Sequence, residues 1–197
     1  EMSTCIRQLT SREGYDLVHA DQLSMAEYGM LAARSGEAAG HRPATILDEH
    51  NAIYHLTRRM ASDEKSSLRR LITLREALAF GRYERSMCDA YDAILTVTSV
   101  DRDLLLALYD DGQRPRIASK FRVLPICVDP DHTGVISRTP QGAPTILHLG
   151  TMFWPPNVNG VLWFAREVLP TVWQSIPDAR FVIVGKNPPA EVFALGA

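Results

Sequence analysis

Short apolar runs and longer stretches of helical period take turns along this chain, a pattern that predicts strands interleaved with helices. Behind the turn-forming Gly14, Tyr15-Asp16-Leu17-Val18-His19 reads as a buried strand. Ser24 stands where it can cap a helix carrying Met25, Ala26, Met30, Leu31 and Arg34, which stops in the Gly36–Gly40 loop. Pro43 opens a second strand, Ala44-Thr45-Ile46-Leu47, that runs into the polar cluster Asp48-Glu49-His50-Asn51. Helical spacing covers Ala52 to Met60. It returns from about Ser66 to Cys88, where Leu68, Leu71, Ile72, Leu78, Phe80, Tyr83 and Met87 recur. Ala93-Ile94-Leu95-Thr96-Val97 predicts a third strand, Ser99 a cap for the helix through Leu104, Leu105 and Leu108, and Arg122-Val123-Leu124 a fourth strand closed by Pro125.

Between residues 129 and 144 periodicity disappears, and Pro130, Gly134, Pro140, Gly142 and Pro144 punctuate a polar stretch that reads as a linker. Beyond it, Thr145-Ile146-Leu147-His148-Leu149 is strongly strand-prone and ends in Gly150-Thr151. A loop with Trp154-Pro155-Pro156 leads to a helix expected from Asn157 to about Trp173, with Val161, Leu162, Ala165, Val168, Leu169 and Val172 on one face. Arg180-Phe181-Val182-Ile183-Val184 is nearly all apolar, as a parallel strand covered on both faces requires, and Gly185 ends it. The alternation predicts an α/β chain with a domain over 1–128 lacking its usual opening strand, a linker over 129–144, and a second domain beginning at 145. Two strands do not complete a parallel sheet, so the second domain is expected to be truncated at 197.

The chain has 197 residues, 46% apolar and 22% charged, an ordinary balance for a folded domain. A formal charge of −2 gives no overall attraction to nucleic acid. The basic residues Arg58, Arg59, Lys65, Arg69, Arg70, Arg75, Arg82 and Arg85 read as a solvated helix face balanced by Glu64, Glu76 and Glu84. Cys5, Cys88 and Cys127 are odd in number with no Cys-x-x-Cys spacing, which fits a reducing compartment and neither a disulfide scaffold nor a zinc site. No apolar run reaches the roughly 20 residues of a membrane span, and no signal peptide is visible.

Ligands of open parallel sheets bind beyond the carboxyl ends of the strands. That rule selects His19-Ala20-Asp21, Asp48–Asn51, Thr98-Ser99, Leu149–Asn157 and Gly185-Lys186-Asn187. Gly150 permits close approach of a ligand, and a helix starting near Asn157 offers amides and a positive dipole end to a phosphate. The alternative is that Asn157 only caps the helix. His50 can donate to a phosphate or sugar hydroxyl, or relay a proton; Asp48 or Asn51 could equally serve as caps. His19 is the weaker candidate, and Arg58, two turns beyond His50, could reach an anion or form a surface ion pair. Gly-x-Gly-x-x-Gly and the P-loop pattern are both absent, which disfavours a Rossmann dehydrogenase and a P-loop NTPase. No Ser-His-Asp arrangement and no cluster with metal-ligand spacing stands out.

Taken in order, the segments YDLVHAD (15–21), LDEHN (47–51), RYER (82–85), TSVD (98–101), LPICVD (124–129), ILHLGTMFWPPNVNGVLWFAREVL (146–169) and PDARFVIVG (177–185) resemble family 4, group 1 glycosyltransferases. Within them, the sugar transferases of bacterial exopolysaccharide and exosortase-linked clusters are the most similar. The resemblance implies the GT-B architecture, two facing Rossmann-like domains with a cleft between. It implies a UDP- or GDP-linked nucleotide-sugar donor mainly on the C-terminal domain and a glycan or lipid-linked acceptor on the N-terminal one. It also implies transfer with retention, without cofactor or bound metal, the departing diphosphate being held by helix-end amides and basic side chains.

Carried onto this sequence, Gly150, Thr151 and the amides near Asn157 would face the diphosphate, Gly185 and Lys186 the nucleoside, and His50 the transferred sugar or its phosphate. His19, Asp21, Asn51 and Arg58 would line the acceptor side. Three departures stand out. Thr151 and Pro156-Asn157 replace the arginine and lysine that many relatives carry, and Ile126-Cys127 replaces the asparagine–glycine of the domain junction. The paired glutamates of the donor site and an N-terminal glycine-rich loop are also missing. The expected place is the cytoplasm, with a peripheral contact at the inner membrane face allowed, although no strongly basic amphipathic helix marks one. A non-hydrolysing nucleotide-sugar epimerase of the same fold and a non-catalytic α/β binding module are the alternatives.

Overall fold

A computed structural model describes residues 1–132, 134 and 142–196. The chain divides into two compact units, Glu1–Asp129 and Pro130–Ala197. Half of the stretch read as a linker, 129–144, lies outside the described residues.

The first unit is a mixed α/β fold of Rossmann-like character around a four-stranded, fully parallel sheet. Its elements are α1 (Met2–Arg12), β1 (Leu17–Asp21), α2 (Ala26–Ala38), β2 (Ala44–Glu49), α3 (Ile53–Asp63), α4 (Ser67–Ala90), β3 (Ala93–Thr96), α5 (Ser99–Leu106), α6 (Arg114–Ala118) and β4 (Phe121–Val123). The strands lie side by side in chain order. Strand register lines up Ala20, Leu47, Ile94 and Phe121 in one row, all four buried. Tyr91, Cys88, Leu105 and Ile117 complete that core. Because side chains alternate across a strand, the opposite face carries His19, Asp21, Ile46, Asp48, Leu95 and Arg122, which are half-buried or exposed.

Several local devices hold these layers together. Lys120 donates from Nζ to the carbonyls of Cys88, Asp89 and Tyr91 at 3.2, 2.7 and 2.7 Å, supplying the unpaired end of α4 with a cation. The buried Tyr91 hydroxyl donates to Ala26 O at 2.7 Å. A Cβ on Gly29, in the same helix as Ala26, would fall on that hydroxyl. Asp92 accepts from both the amide and the hydroxyl of Thr45 at 2.9 Å, fixing the start of β2 to the turn before β3.

The caps differ from expectation by one or two residues. Ser24 sits inside a 3-10 turn, Leu23–Met25, and α2 starts at Ala26 without a side-chain cap. Thr98, not Ser99, caps α5, its Oγ1 accepting from the Asp101 amide at 3.0 Å. Helix α1 and the short α6 were not signalled by the apolar pattern. Helix α4 divides its apolar residues between two faces. Its recurring Leu68, Leu71, Ile72 and Leu78 face outward, and the inward face is built of Ala77, Gly81, Glu84, Met87 and Cys88. Glu84, expected to be solvated, is fully buried.

The second unit pairs β5 (Thr145–Leu149) with β6 (Arg180–Val184) in parallel. Between them α7 (Pro155–Trp163), a π turn (Phe164–Val168) and α8 (Leu169–Ser175) follow without a break, and a short α9 (Ala190–Phe193) lies after β6. The π turn has a local cause. Pro170 has no N–H and its ring crowds the carbonyl four residues back, and the Leu169 amide bonds instead to Phe164 O, five residues earlier. Met152, Val158, Val161, Leu162 and Val192 form the core, with Phe181 and Ile183 against it. The expectation that β6 is covered on both faces is not met within this unit, since Leu147, Leu149, Val182 and Val184 are exposed on the other face. No described helix is long and apolar enough to cross a membrane.

Candidate functional site

In-register pairing puts Asp21 directly beside Asp48 on the open face of the first sheet. Two adjacent carboxylates repel, and two histidines offset them. His50 Nε2 lies 2.9 Å from Asp21 Oδ1 and 3.9 Å from Asp48 Oδ1, and His19 Nε2 lies 3.4 Å from Asp48 Oδ2. Four residues singled out in sequence, two of them 27 to 31 positions from the others, thus meet at the carboxyl ends of β1 and β2. With Nε2 committed to the carboxylates, the Nδ1 of His50 is left for a ligand, where it could accept or donate a proton.

Backbone strain marks the same place. Gln22, immediately after Asp21, has φ 72° and ψ 155°, a conformation close to glycine-only and costly by about 1–3 kcal/mol. Its amide donates to Asp48 O at 2.9 Å, which anchors the turn to the neighbouring strand. Nothing in the sequence around Asp21 signals this.

Ligand atoms of Asp21, Asp48 and His50 all lie within 4.8 Å of one another, a grouping that could hold a divalent cation. Sequence spacing gave no hint of it, because the ligands come from separate strands. The ion pairs account for the same geometry without a metal. Asn51 is exposed in the following bend. Arg58 is not brought to this cluster; it lines a cleft of about 710 Å³ between α3, α4 and α5, together with Tyr54, Leu78, Gly81, Arg82 and Leu108.

Behind the site, on the covered face, two carboxyls are buried. Glu84 accepts from the amides of Ile53 and Tyr54 at 2.5 and 3.0 Å, so a side chain of α4 satisfies the open N-terminus of α3. Its burial pushes its carboxyl up to about 7, while the two amide bonds hold it down. Glu49, which shares its row with Thr96, is pushed up to about 8 by burial and by the neighbouring charges of Glu84 and Asp48. Glu49 Oε1 and Thr96 Oγ1 have no hydrogen-bond partner among the described residues. Asp101 accepts from the Ala52 amide at 3.2 Å, which ties the start of α5 to the His50 loop.

At the ends of β5 and β6 the main chain dominates. The Gly150 amide donates to Val184 O and the Met152 amide to Lys186 O, both at 3.0 Å. A Cβ on Gly185 would fall on the Gly150 carbonyl oxygen, so only glycine fits there. Helix α7 starts at Pro155, two residues before the expected start, with Trp154 as N-cap. Its first two positions are prolines without N–H groups, and the amides of Asn157 and Val158 both donate to Trp154 O, at 3.0 and 3.3 Å. The free amides expected near Asn157 are therefore already used, and what the helix end offers an anion is its dipole. Asn157 instead donates from Nδ2 to Thr151 O at 2.9 Å, which shapes the loop. Thr151 and Lys186 are exposed. His148 Nε2, beneath this loop, is buried without a hydrogen-bond partner among the described residues.

No family model matches the chain. Over 180 residues it is 22% identical to an uncharacterized 44.6 kDa protein in the cps (capsule polysaccharide) region of Klebsiella pneumoniae. The similarity covers 91% of this chain and 42% of that protein, so the chain spans less than half of its relative's length.

Proposed function

We propose that this chain belongs to a retaining sugar transferase of the GT-B type that draws on a nucleotide-sugar donor during assembly of a bacterial surface polysaccharide. The observation that carries the reading is the similarity, along nine-tenths of the chain, to a protein of a capsule region. The parallel α/β sheet with its cluster at the strand ends is compatible with it.

In this reading the first unit receives the glycan or lipid-linked acceptor, and His50 faces the transferred sugar or its phosphate. Asp21 and Asp48 orient the imidazole. His19 and Asn51 frame the acceptor side. In the second unit Gly150 and Thr151 approach the diphosphate, Asn157 supports their loop, and Gly185 and Lys186 lie toward the nucleoside. The ammonium of Lys186 supplies positive charge where the loop itself carries none. Neither cofactor nor metal enters this scheme.

The test uses the complete protein that carries this chain. His50→Ala should lower sugar transfer by roughly 10²–10⁴-fold while leaving the melting temperature close to that of the parent. An unchanged turnover would remove His50 from the site. Binding of UDP- and GDP-sugars, followed by calorimetry, separates an enzyme from a module without donor affinity. Interconversion of the donor sugar without any acceptor would identify an epimerase instead.

A further inference from the structure

The bend that carries His50 is held from a distance. On its sheet side Glu49, the last residue of β2, pairs in register with Thr96. On its other side stands Ala52, the N-cap of α3, which brings no side-chain cap of its own; alanine is among the poorest residues for that place. Only His50 and Asn51 lie between these two anchors. The three amides that follow are nevertheless all taken up. Ala52 donates to Asp101 Oδ1 at 3.2 Å, Ile53 to Glu84 Oε1 at 2.5 Å and Tyr54 to Glu84 Oε2 at 3.0 Å. Consecutive amides thus end on two carboxylates, one from α4 and one from α5, between 30 and 49 positions away in sequence.

Each carboxylate is secured in turn. Asp101 Oδ2 accepts from Thr98 Oγ1 at 2.5 Å, and Thr98 Oγ1 accepts from the Asp101 amide at 3.0 Å. Glu84 is fully buried, and it joins no ion pair among the described residues. The Tyr54 hydroxyl donates to Leu104 O at 2.8 Å, which latches the start of α3 to α5 as well.

As a helix cap alone this arrangement is costly. A serine, threonine or aspartate at position 52 would serve the Tyr54 amide locally, without drawing a carboxylate into the core. A local cap, however, does not fix the start of α3 relative to the sheet and to two further helices. Charge-assisted bonds are shorter and roughly twice as strong as neutral ones, and two of them on one carboxylate fix direction as well as distance. Any displacement of Ala52 is passed across two residues to an imidazole whose Nε2 stands 2.9 Å from Asp21 Oδ1. The segments RYER (82–85) and TSVD (98–101), which have no part in the transfer scheme above, are the ones that contribute Glu84 and Asp101. We infer that Glu84 and Asp101 are positioning residues, which set the place and direction of the His50 imidazole through the amides of residues 52–54. The inference rests on the role proposed for His50 and adds the groups that hold it there.

The test uses the complete protein. Asp101→Ala should lower kcat by roughly ten- to a hundredfold and leave the donor KM within about twofold. Asp101→Asn keeps an oxygen for the Ala52 amide and should recover most of the rate. Glu84→Gln turns an N–H toward that of Tyr54 and should lower kcat in the same way; the Asp101 pair decides if this variant misfolds. Tyr91→Phe removes a hydrogen bond from the same unit, far from the bend in sequence, and should lower the melting temperature without changing kcat. Spectra of protein labelled with ¹⁵N-histidine should show the His50 resonance displaced in Asp101→Ala, restored in Asp101→Asn and unmoved in Tyr91→Phe. An unchanged kcat in Asp101→Ala, no recovery in Asp101→Asn, or an equal loss in Tyr91→Phe overturns the proposal. If no sugar transfer is found at all, the functional reading fails and the spectra alone decide: a His50 resonance unmoved by Asp101→Ala overturns the positioning too.

Discussion

At the ends of β1 and β2 the chain gathers two aspartates and two histidines, whereas at the ends of β5 and β6 it brings together two glycines whose main chains touch. The first set is built from side chains that project from strands whose own packing lies on the opposite face. Its members can be exchanged with little cost to the sheet, and what is lost is chemistry. The second set is built from backbone. There the shape of the loop and the integrity of the fold are the same property, because a single added methyl group collides with a carbonyl. One region sets varied side chains at its strand ends; the other forbids side chains to keep two backbones close.

The strongest way to break this contrast is Gly185→Ala. Its methyl group meets main chain rather than a pliable side chain, so destabilisation of roughly 3 kcal/mol or more is expected. All three tryptophans, Trp154, Trp163 and Trp173, lie in the second unit, so urea unfolding followed by tryptophan emission reads it alone. A transition at the parent's urea concentration would show that backbone contact does not govern this region. His50→Ala, by contrast, should leave both units' transitions in place.

A second effect separates the units by pH. Glu49 and Glu84 are raised from an ordinary 4.5 to about 8 and about 7, so the folded first unit holds protons that the unfolded chain releases. The stability they permit is fully present below pH 4.5, falls as pH rises, and is lost once pH passes through the folded values. Melting followed by circular dichroism should therefore drop by several degrees between pH 5 and about pH 8.5. Glu49→Gln should flatten most of that slope. Tryptophan-monitored unfolding should not share it; an equal slope in both signals would assign it to some other group.

The smallest expected effect is a gain. Gln22→Gly relieves a conformation that costs a non-glycine residue about 1–3 kcal/mol and loses part of that through extra unfolded-state entropy. A net stabilisation of about 1 kcal/mol should appear as a higher melting temperature. A destabilised variant would mean that the Gln22 side chain itself, rather than the Asp48 carbonyl, holds the turn.

The strands of the second unit were legible because both are continuous runs of branched and aromatic residues, and β5 and β6 match the expected spans residue for residue. Asp21, Asp48 and His50 were legible as strand-end residues. Their convergence was not, since it depends on β1 and β2 being neighbours in register. Glu84 looked like one charge among many on a long helix; only the approach of α3 reveals that it closes that helix's amino end. The orientation of α4 was not legible for a related reason. Helical periodicity marks an apolar stripe but not which side turns inward, and here small residues win. Gly81 lets Tyr54 and Leu108 come within ordinary contact distance of where its Cβ would stand, a closeness that the leucines of the outer arc would prevent. Helix α7 began early because Pro155 and Pro156, read as loop residues, are also well suited to a first helical turn.

Gly29 and Tyr91 make one further demand, and it falls on descent rather than on folding. The hydroxyl that reaches Ala26 O occupies the space a side chain at position 29 would need. Position 29 is not free to enlarge while Tyr91 keeps its hydroxyl. A lineage that first turned Tyr91 into phenylalanine would give up the bond to Ala26 and relieve the closest contact at 29, leaving the Ala20 Cβ at 3.0 Å. A lineage that enlarged 29 first would pass through a clash. The two positions, 62 apart in sequence, should consequently change hands in a fixed order, tyrosine before glycine, and related chains sorted by one should be sorted by the other.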